Sequence, residues 1–317
     1  MASPTPDAPV VKDAITQTHA FGCLLAYCVV YVLPLHLSPA TRATPGRSRD
    51  DPGAIRARIK AVSLSTAVCS IITLAILTLS SPTLDAEGRS DHASAWHAMG
   101  YWPLGLRETA HSVFLTALLF AAPLYERLVI DGAWEDWLRL EPLSTVWNDM
   151  PTWRNLVVWQ GPITEECLFR SAAVPLLLLA GNGLSSTVFL SPLVFGVAHV
   201  HHFYEFRVTH PDVPLVAAIA RSVLQFSYTY LFGIYATFIF LRTGSLLAVI
   251  LVHSFCNVMG LPRVWGLVEP YWLPEGTNNG TVKAHTVVYY LLLFGGMFSW
   301  WQGLYALTSS SLALADL

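Results

Sequence analysis

Long apolar runs separated by short polar stretches set the pattern of this chain. A membrane span needs about 20 mostly apolar residues, and about eight runs qualify as predicted helices, at roughly 20–37, 61–80, 109–130, 156–180, 184–200, 222–241, 245–260 and 284–308. The fifth and seventh are short, as expected of helices that border a cavity inside a bundle. The predicted fold class is therefore all-α, a polytopic membrane helix bundle of about eight transmembrane helices. Residues 1–19, rich in Pro and Ala, are predicted to be a disordered tail. That tail lacks the basic region of a signal peptide and the Arg-rich character of a transit peptide, so the first apolar run is expected to remain as a span.

Composition supports lipid as the solvent. The chain is 54% hydrophobic and 12% charged, against about 25% charged residues in soluble domains, and its mean hydropathy is +0.49. A net charge of −3 gives no electrostatic reason to expect nucleic-acid binding. Cys23, Cys28, Cys69, Cys167 and Cys256 lie in apolar stretches without CxxC or zinc-finger spacing, and read as buried free thiols.

Charge also sets an expected topology. The loop after the first span carries Arg42, Arg47, Arg49, Arg56, Arg58 and Lys60, which assigns it to the cytosol and both termini to the lumen. The sequon Asn279-Gly280-Thr281 then falls on the cytosolic side and is expected to carry no glycan.

Ionisable groups inside spans are costly, so each is a functional candidate. Glu165, Glu166 and Arg170 lie in QGPITEECLFRSAAVPLLLL, His199 ends SPLVFGVAHVHHF, and His253 and Asn257 lie in LLAVILVHSFCNVMG. Glu166 and Arg170 are four apart and can pair on one helix face, as a structural bridge or as support for a site. Glu165 points about 100° away, which leaves its carboxylate available for reaction. His253 and Asn257 also share a face. Under the expected topology all three groups fall in the cytosolic half of the bilayer. A lone histidine in an apolar helix is more often a satisfied structural residue, but three unrelated polar sites have no reason to share a depth. His201 and His202 read as residues at a span end, and His36 has no partner pattern.

Peptide hydrolysis needs an activated water and a stabilised oxyanion. Glu165 is the candidate general base, His199 the residue that shares and orients its water, and His253 and Asn257 the oxyanion donors. Cys167 lacks an evident base and is discounted as nucleophile. No cofactor is expected. A zinc ion on Glu165, His199 and His253 is the mechanistic alternative, although HExxH is absent. Buried Glu, Arg and His also build proton relays, so a proton-coupled transporter stays open as another class, though no internal repeat is evident.

Glu165-Glu166-x-x-x-Arg170, Phe195-x-x-x-His199 and His253-x-x-x-Asn257 resemble, in order, the three motifs of the type II CAAX prenyl proteases, within the wider ABI group of membrane proteins. The resemblance implies one transmembrane protease domain over 20–310, with motifs at 165–170, 195–199 and 253–257. It implies an endopeptidase of the endoplasmic reticulum membrane that acts on prenylated CaaX-protein C-termini, such as those of Ras-type GTPases and prenylated pheromones, and removes the aaX tripeptide. It also implies a glutamate-dependent site made of Glu165, His199, His253 and Asn257, with Glu166 and Arg170 in support. A non-proteolytic ABI-type binding or maturation role is the other reading it leaves.

Overall fold

The computed structural model describes residues 15–45, 51–80, 92–141, 160–274 and 280–317, and these residues contain helices and connecting turns with no extended strand. The helices are α1 (Gln17–Val32), α2 (Pro34–Leu37), α3 (Pro52–Ser80), α4 (His92–Ala98), α5 (Leu106–Leu119), α6 (Ala121–Tyr125) and α7 (Trp134–Leu138). After the central segment come α8 (Gly161–Glu166), α9 (Val174–Leu179), α10 (Leu184–Ala198), α11 (His201–Thr209), α12 (Leu215–Thr243), α13 (Leu246–Met259) and α14 (Gly280–Leu307). Among the described residues, π-helical turns cover Glu126–Ile130 after α6 and Cys167–Ala172 between α8 and α9.

The α8–π–α9 segment is the axis of the molecule. Leu168, Phe169, Arg170, Ala172, Ala173, Val174, Leu176 and Leu177 are all buried. One side packs on α1, α3 and α10 through Leu24, Tyr31, Cys69 and Phe195. Val174 faces the other side, where α12 and α13 contribute Ala236, Phe240, Val249 and Val252. Small polar side chains stitch this packing, as they do between helices in lipid. Tyr31 meets Thr164 at 3.1 Å, Tyr27 meets Thr73 at 2.9 Å, and Thr73 donates to the Ala172 carbonyl at 2.8 Å. Pro175 follows the π turn. It has no N–H to return to the preceding turn, which relaxes the ladder there. The Gly244–Ser245 pair turns α12 into α13. Gly244 supplies the left-handed residue that ends one helix (φ 57°), and the Ser245 hydroxyl caps the next by accepting from the Ala248 N–H at 3.1 Å.

The outer faces are apolar. Leu64, Ile71, Leu79, Val216, Leu231, Leu291, Phe294 and Trp301 are exposed, a surface that only lipid or a partner can cover. Four helical stretches have the length and apolarity of a span: Gln17–Leu37, Pro52–Ser80, Leu184–Thr209 and Leu215–Thr243. The chain is an all-α, multi-pass membrane protein.

The predicted count of eight is not reached among the described residues. A fifth span arises only if Leu106–Leu119 and Ala121–Ile130 count as one, and they meet at an 82° bend. At 14 residues α13 is short, spanning about 21 Å at 1.5 Å per residue. α14 runs 28 residues, but Lys283, His285, Gly295, Gly296, Gln302 and Gly303 dilute its apolar character. The fourth predicted span loses 156–159, which lie outside the described residues, and is divided from Gln160 onward by the π turn.

Three local expectations also change. Of the predicted tail, 1–14 lie outside the described residues, but Gln17, Thr18 and His19 form the first turn of α1, with Thr16 as its cap. The basic loop is shorter than expected. Arg47 and Arg49 lie outside the described residues, whereas Arg56, Arg58 and Lys60 belong to α3, and Arg58 is buried. Of the cysteines, all free, Cys28 and Cys69 are buried while Cys23, Cys167 and Cys256 are half-buried. Asn279 of the sequon lies outside the described residues.

Candidate active site

Pro162 sits in the first turn of α8, where a missing N–H costs nothing. The helix then delivers Glu165 and Glu166 to different surroundings. Glu166 is completely buried, and its Oε1 accepts from Arg170 Nη1 at 3.1 Å and from His253 Nδ1 at 2.6 Å. Arg170 is equally enclosed. Its Nη2 donates to the Gly233 carbonyl at 3.2 Å, and its guanidinium lies 4.5 Å from the Phe195 ring centre and 5.8 Å from that of Phe232. The charge is thus held by a carboxylate, a carbonyl and two aromatic faces.

Glu165 points into a more open space. Its Oε2 lies 3.9 Å from His199 Nε2 and 4.0 Å from His253 Nε2. The tautomers follow from the opposite ring atoms. His199 Nδ1 donates to the Phe195 carbonyl at 2.9 Å, and His253 Nδ1 donates to Glu166. Each Nε2 is therefore turned to Glu165 with its orientation fixed from behind. Phe195 completes the frame, with its ring against His199 (4.9 Å between centroids) and against His253 (6.3 Å).

The structure thus brings Glu165, His199 and His253 together from α8, the end of α10 and α13, and places Glu166 and Arg170 directly behind them. Asn257 lies one turn beyond His253 on α13 and is exposed. Glu165 stands 3.9 and 4.0 Å from the two imidazoles, beyond hydrogen-bond length but within joint reach of one water at about 2.8 Å from each. Cys167 opens the π turn and, among the described residues, makes no ion pair with a histidine. A cavity of about 350 Å³ lies on the far flank of α8, between α3 and α4, lined by Ser70, Leu74, Trp96, Tyr101 and Thr164 and by none of these site residues.

Sequence reasoning missed the second residue layer. Phe232 and Gly233 of α12 carry no polar signal, yet Gly233 lets α12 approach Arg170. A Cβ there would stand 2.7 Å from Pro192 Cβ and 3.3 Å from Arg170 Nη2. Gly233→Ala is expected to cost about 1–3 kcal/mol through overpacking, read as a lower melting temperature in detergent, with reduced activity because α10 and α12 frame the site.

A polytopic bundle that sets one glutamate against two oriented histidines, with a second glutamate and an arginine behind them, has the equipment of a membrane-embedded hydrolase. Comparison with known proteins makes this specific. Residues 147–259 match the Type II CAAX prenyl endopeptidase Rce1-like family. The chain is 34% identical to "Probable CAAX prenyl protease 2" of Schizosaccharomyces pombe over 271 residues, covering 86% of this chain and 87% of that protein. It is 32% identical to "CAAX prenyl protease 2" of Arabidopsis thaliana over 286 residues, covering 82% and 87%. The protein of that name in Homo sapiens is 36% identical over 229 residues, covering 70% and 66%. No solved structure matches the chain. The chain belongs to the type II CAAX prenyl endopeptidase family.

Proposed function

We propose that this protein cuts prenylated CaaX-protein C-termini after the lipidated cysteine, releasing the aaX tripeptide, and that it does so in the endoplasmic reticulum membrane. The observation that carries the chemistry is the position of Glu165 Oε2, 3.9 and 4.0 Å from two imidazole nitrogens whose rings are fixed from behind. A water bound among them can give its proton to Glu165 while its oxygen attacks the scissile carbonyl carbon. His199 Nε2 fixes the orientation of that water. The tetrahedral oxyanion is then held by His253 and the Asn257 amide, and Glu165 passes its proton to the departing amine as the C–N bond breaks.

The geometry sets a condition on His253. Its Nδ1–H is engaged by Glu166, so Nε2 donates to an oxyanion only in the imidazolium form; a neutral ring in this tautomer presents a lone pair there. Glu166 accepts from the opposite ring nitrogen at 2.6 Å. A spanning bundle also suits a lipidated substrate, whose isoprenoid chain stays in the bilayer while the peptide enters the polar centre.

The test is single-turnover release of the tripeptide from a farnesylated CaaX peptide by the purified protein in liposomes, with the non-prenylated peptide alongside. The expected result is one cut after the cysteine and at least tenfold preference for the prenylated form. No cleavage of either, by protein that is folded, would remove the protease reading.

A further inference from the structure

Away from the glutamate–histidine centre, α11 begins with His201 and His202 and carries Glu205 one turn on. Glu205 is buried. Its Oε1 takes Arg58 Nη1 of α3 at 2.6 Å, and its Oε2 accepts from His202 Nδ1 at 2.8 Å. His36 of α2 faces the same point, its ring 5.2 Å from that of His201 between centroids. Two atoms in this group are unexplained. Among the described residues, Nε2 of His36 and Nε2 of His201 are both buried without a hydrogen-bond partner. His201 Nδ1 donates to the Ala198 carbonyl at 2.6 Å, so in the neutral ring Nε2 carries the lone pair. That lone pair stands 4.0 Å from Glu205 Oε2. Two electron-rich atoms facing each other in a buried space repel unless a hydrogen-bond donor or a cation lies between them.

We propose that His36, His201 and Glu205 form a binding site for a divalent transition metal of the zinc class. One ligating atom from each lies within 4.8 Å of the others. Zinc bonds of about 2.0–2.2 Å require these atoms to draw together by about 1 Å, which rotation of His36 at the end of the four-residue α2 can supply. Two nitrogens and a carboxylate are a zinc donor set, with a fourth position for water. The outer partners are those that metal ligands use: His201 is oriented by a backbone carbonyl, and Glu205 by His202 and Arg58. Bound metal would tie α2 to α11 and, through Arg58, to α3. His199 is two residues before His201, and its ring lies 5.7 Å from that of His202, so the same ion would brace the turn that carries a site residue.

Metal content tests this independently of cleavage. The full-length protein in detergent is stripped with chelator, then titrated with zinc by calorimetry and with cobalt by visible absorption. The expected result is one ion per chain, with the absorption of four-coordinate cobalt and a rise in melting temperature. His36→Ala and His201→Ala should each weaken binding at least 100-fold, and Glu165→Ala should leave it unchanged. His36→Asn serves as a second variant, and the metal-free melting temperature verifies that each variant is folded. Absence of binding in the wild type, equal affinity in folded His36→Ala, or loss of the ion in Glu165→Ala would overturn the proposal. The first result would leave a bridging water between His201 and Glu205, and the last would move the metal to the Glu165 centre.

Discussion

Glu165→Gln is expected to abolish tripeptide release, by about 10⁴-fold or to the limit of detection, while the protein stays folded and binds a prenylated peptide. Gln is nearly isosteric, and Glu165 makes no short hydrogen bond that folding depends on; its imidazole neighbours stand 3.9 and 4.0 Å away. The substitution therefore removes the base and little else. General-base catalysis alone is worth about 10²–10⁴, and water orientation by His199 fails with it. His199→Ala should come within about tenfold of the same loss. Asn257→Ala should cost about 10²–10³, as for one oxyanion donor. Because these groups act on one water, their effects should not add, and Glu165→Gln with His199→Ala should be little worse than Glu165→Gln alone. The measurement is single-turnover release of tripeptide with substrate binding followed separately. Robust turnover by Glu165→Gln would transfer the base role to another group.

The site was more legible in the sequence than the path of the chain. Spacing of four placed Glu166 against Arg170, and the 100° offset sent Glu165 elsewhere, because both follow from helix geometry within a single turn. That His199 and His253 meet Glu165 was inferred from a common depth, which is a property of a whole span and survives errors in its ends. The count of eight spans is not matched among the described residues, where four or five stretches qualify. Hydropathy averages over a window and is blind to the 82° break at Phe120 and to the π turn after Glu166. It also took charge as a sign of a loop, so Arg58 was assigned to solvent when Glu205 awaited it 147 residues away. A similarly long separation along the chain hid His36. His201 and Glu205, by contrast, carried a legible i, i+4 signal once α11 is recognised as a helix, whereas reading the HVHH stretch as a span end removed it.

The other large effect concerns Arg170. Arg170→Ala leaves Glu166 buried, charged and relieved of its main counterion, at 0% exposure. Breaking a buried pair by removing one partner costs about 3–5 kcal/mol, and the loss of contact with Phe195 and the Gly233 carbonyl adds to it. The expected variant is strongly destabilised in detergent and nearly inactive. Arg170→Lys should recover only part of this, since one ammonium cannot reach Glu166 and the Gly233 carbonyl together while lying over a ring. The informative variant is the double one. Glu166→Gln with Arg170→Met removes both charges at similar volume, so its melting temperature should exceed that of Arg170→Ala by several degrees. Activity should not return with stability, because a neutral amide at position 166 cannot orient the His253 ring as firmly as the Glu166 carboxylate does at 2.6 Å. Stability and turnover thus separate two roles of one carboxylate, pairing with Arg170 and positioning His253. A double variant that regains both would assign Glu166 to packing alone. One that regains neither would show that the Glu166–Arg170 bridge is needed for the fold itself.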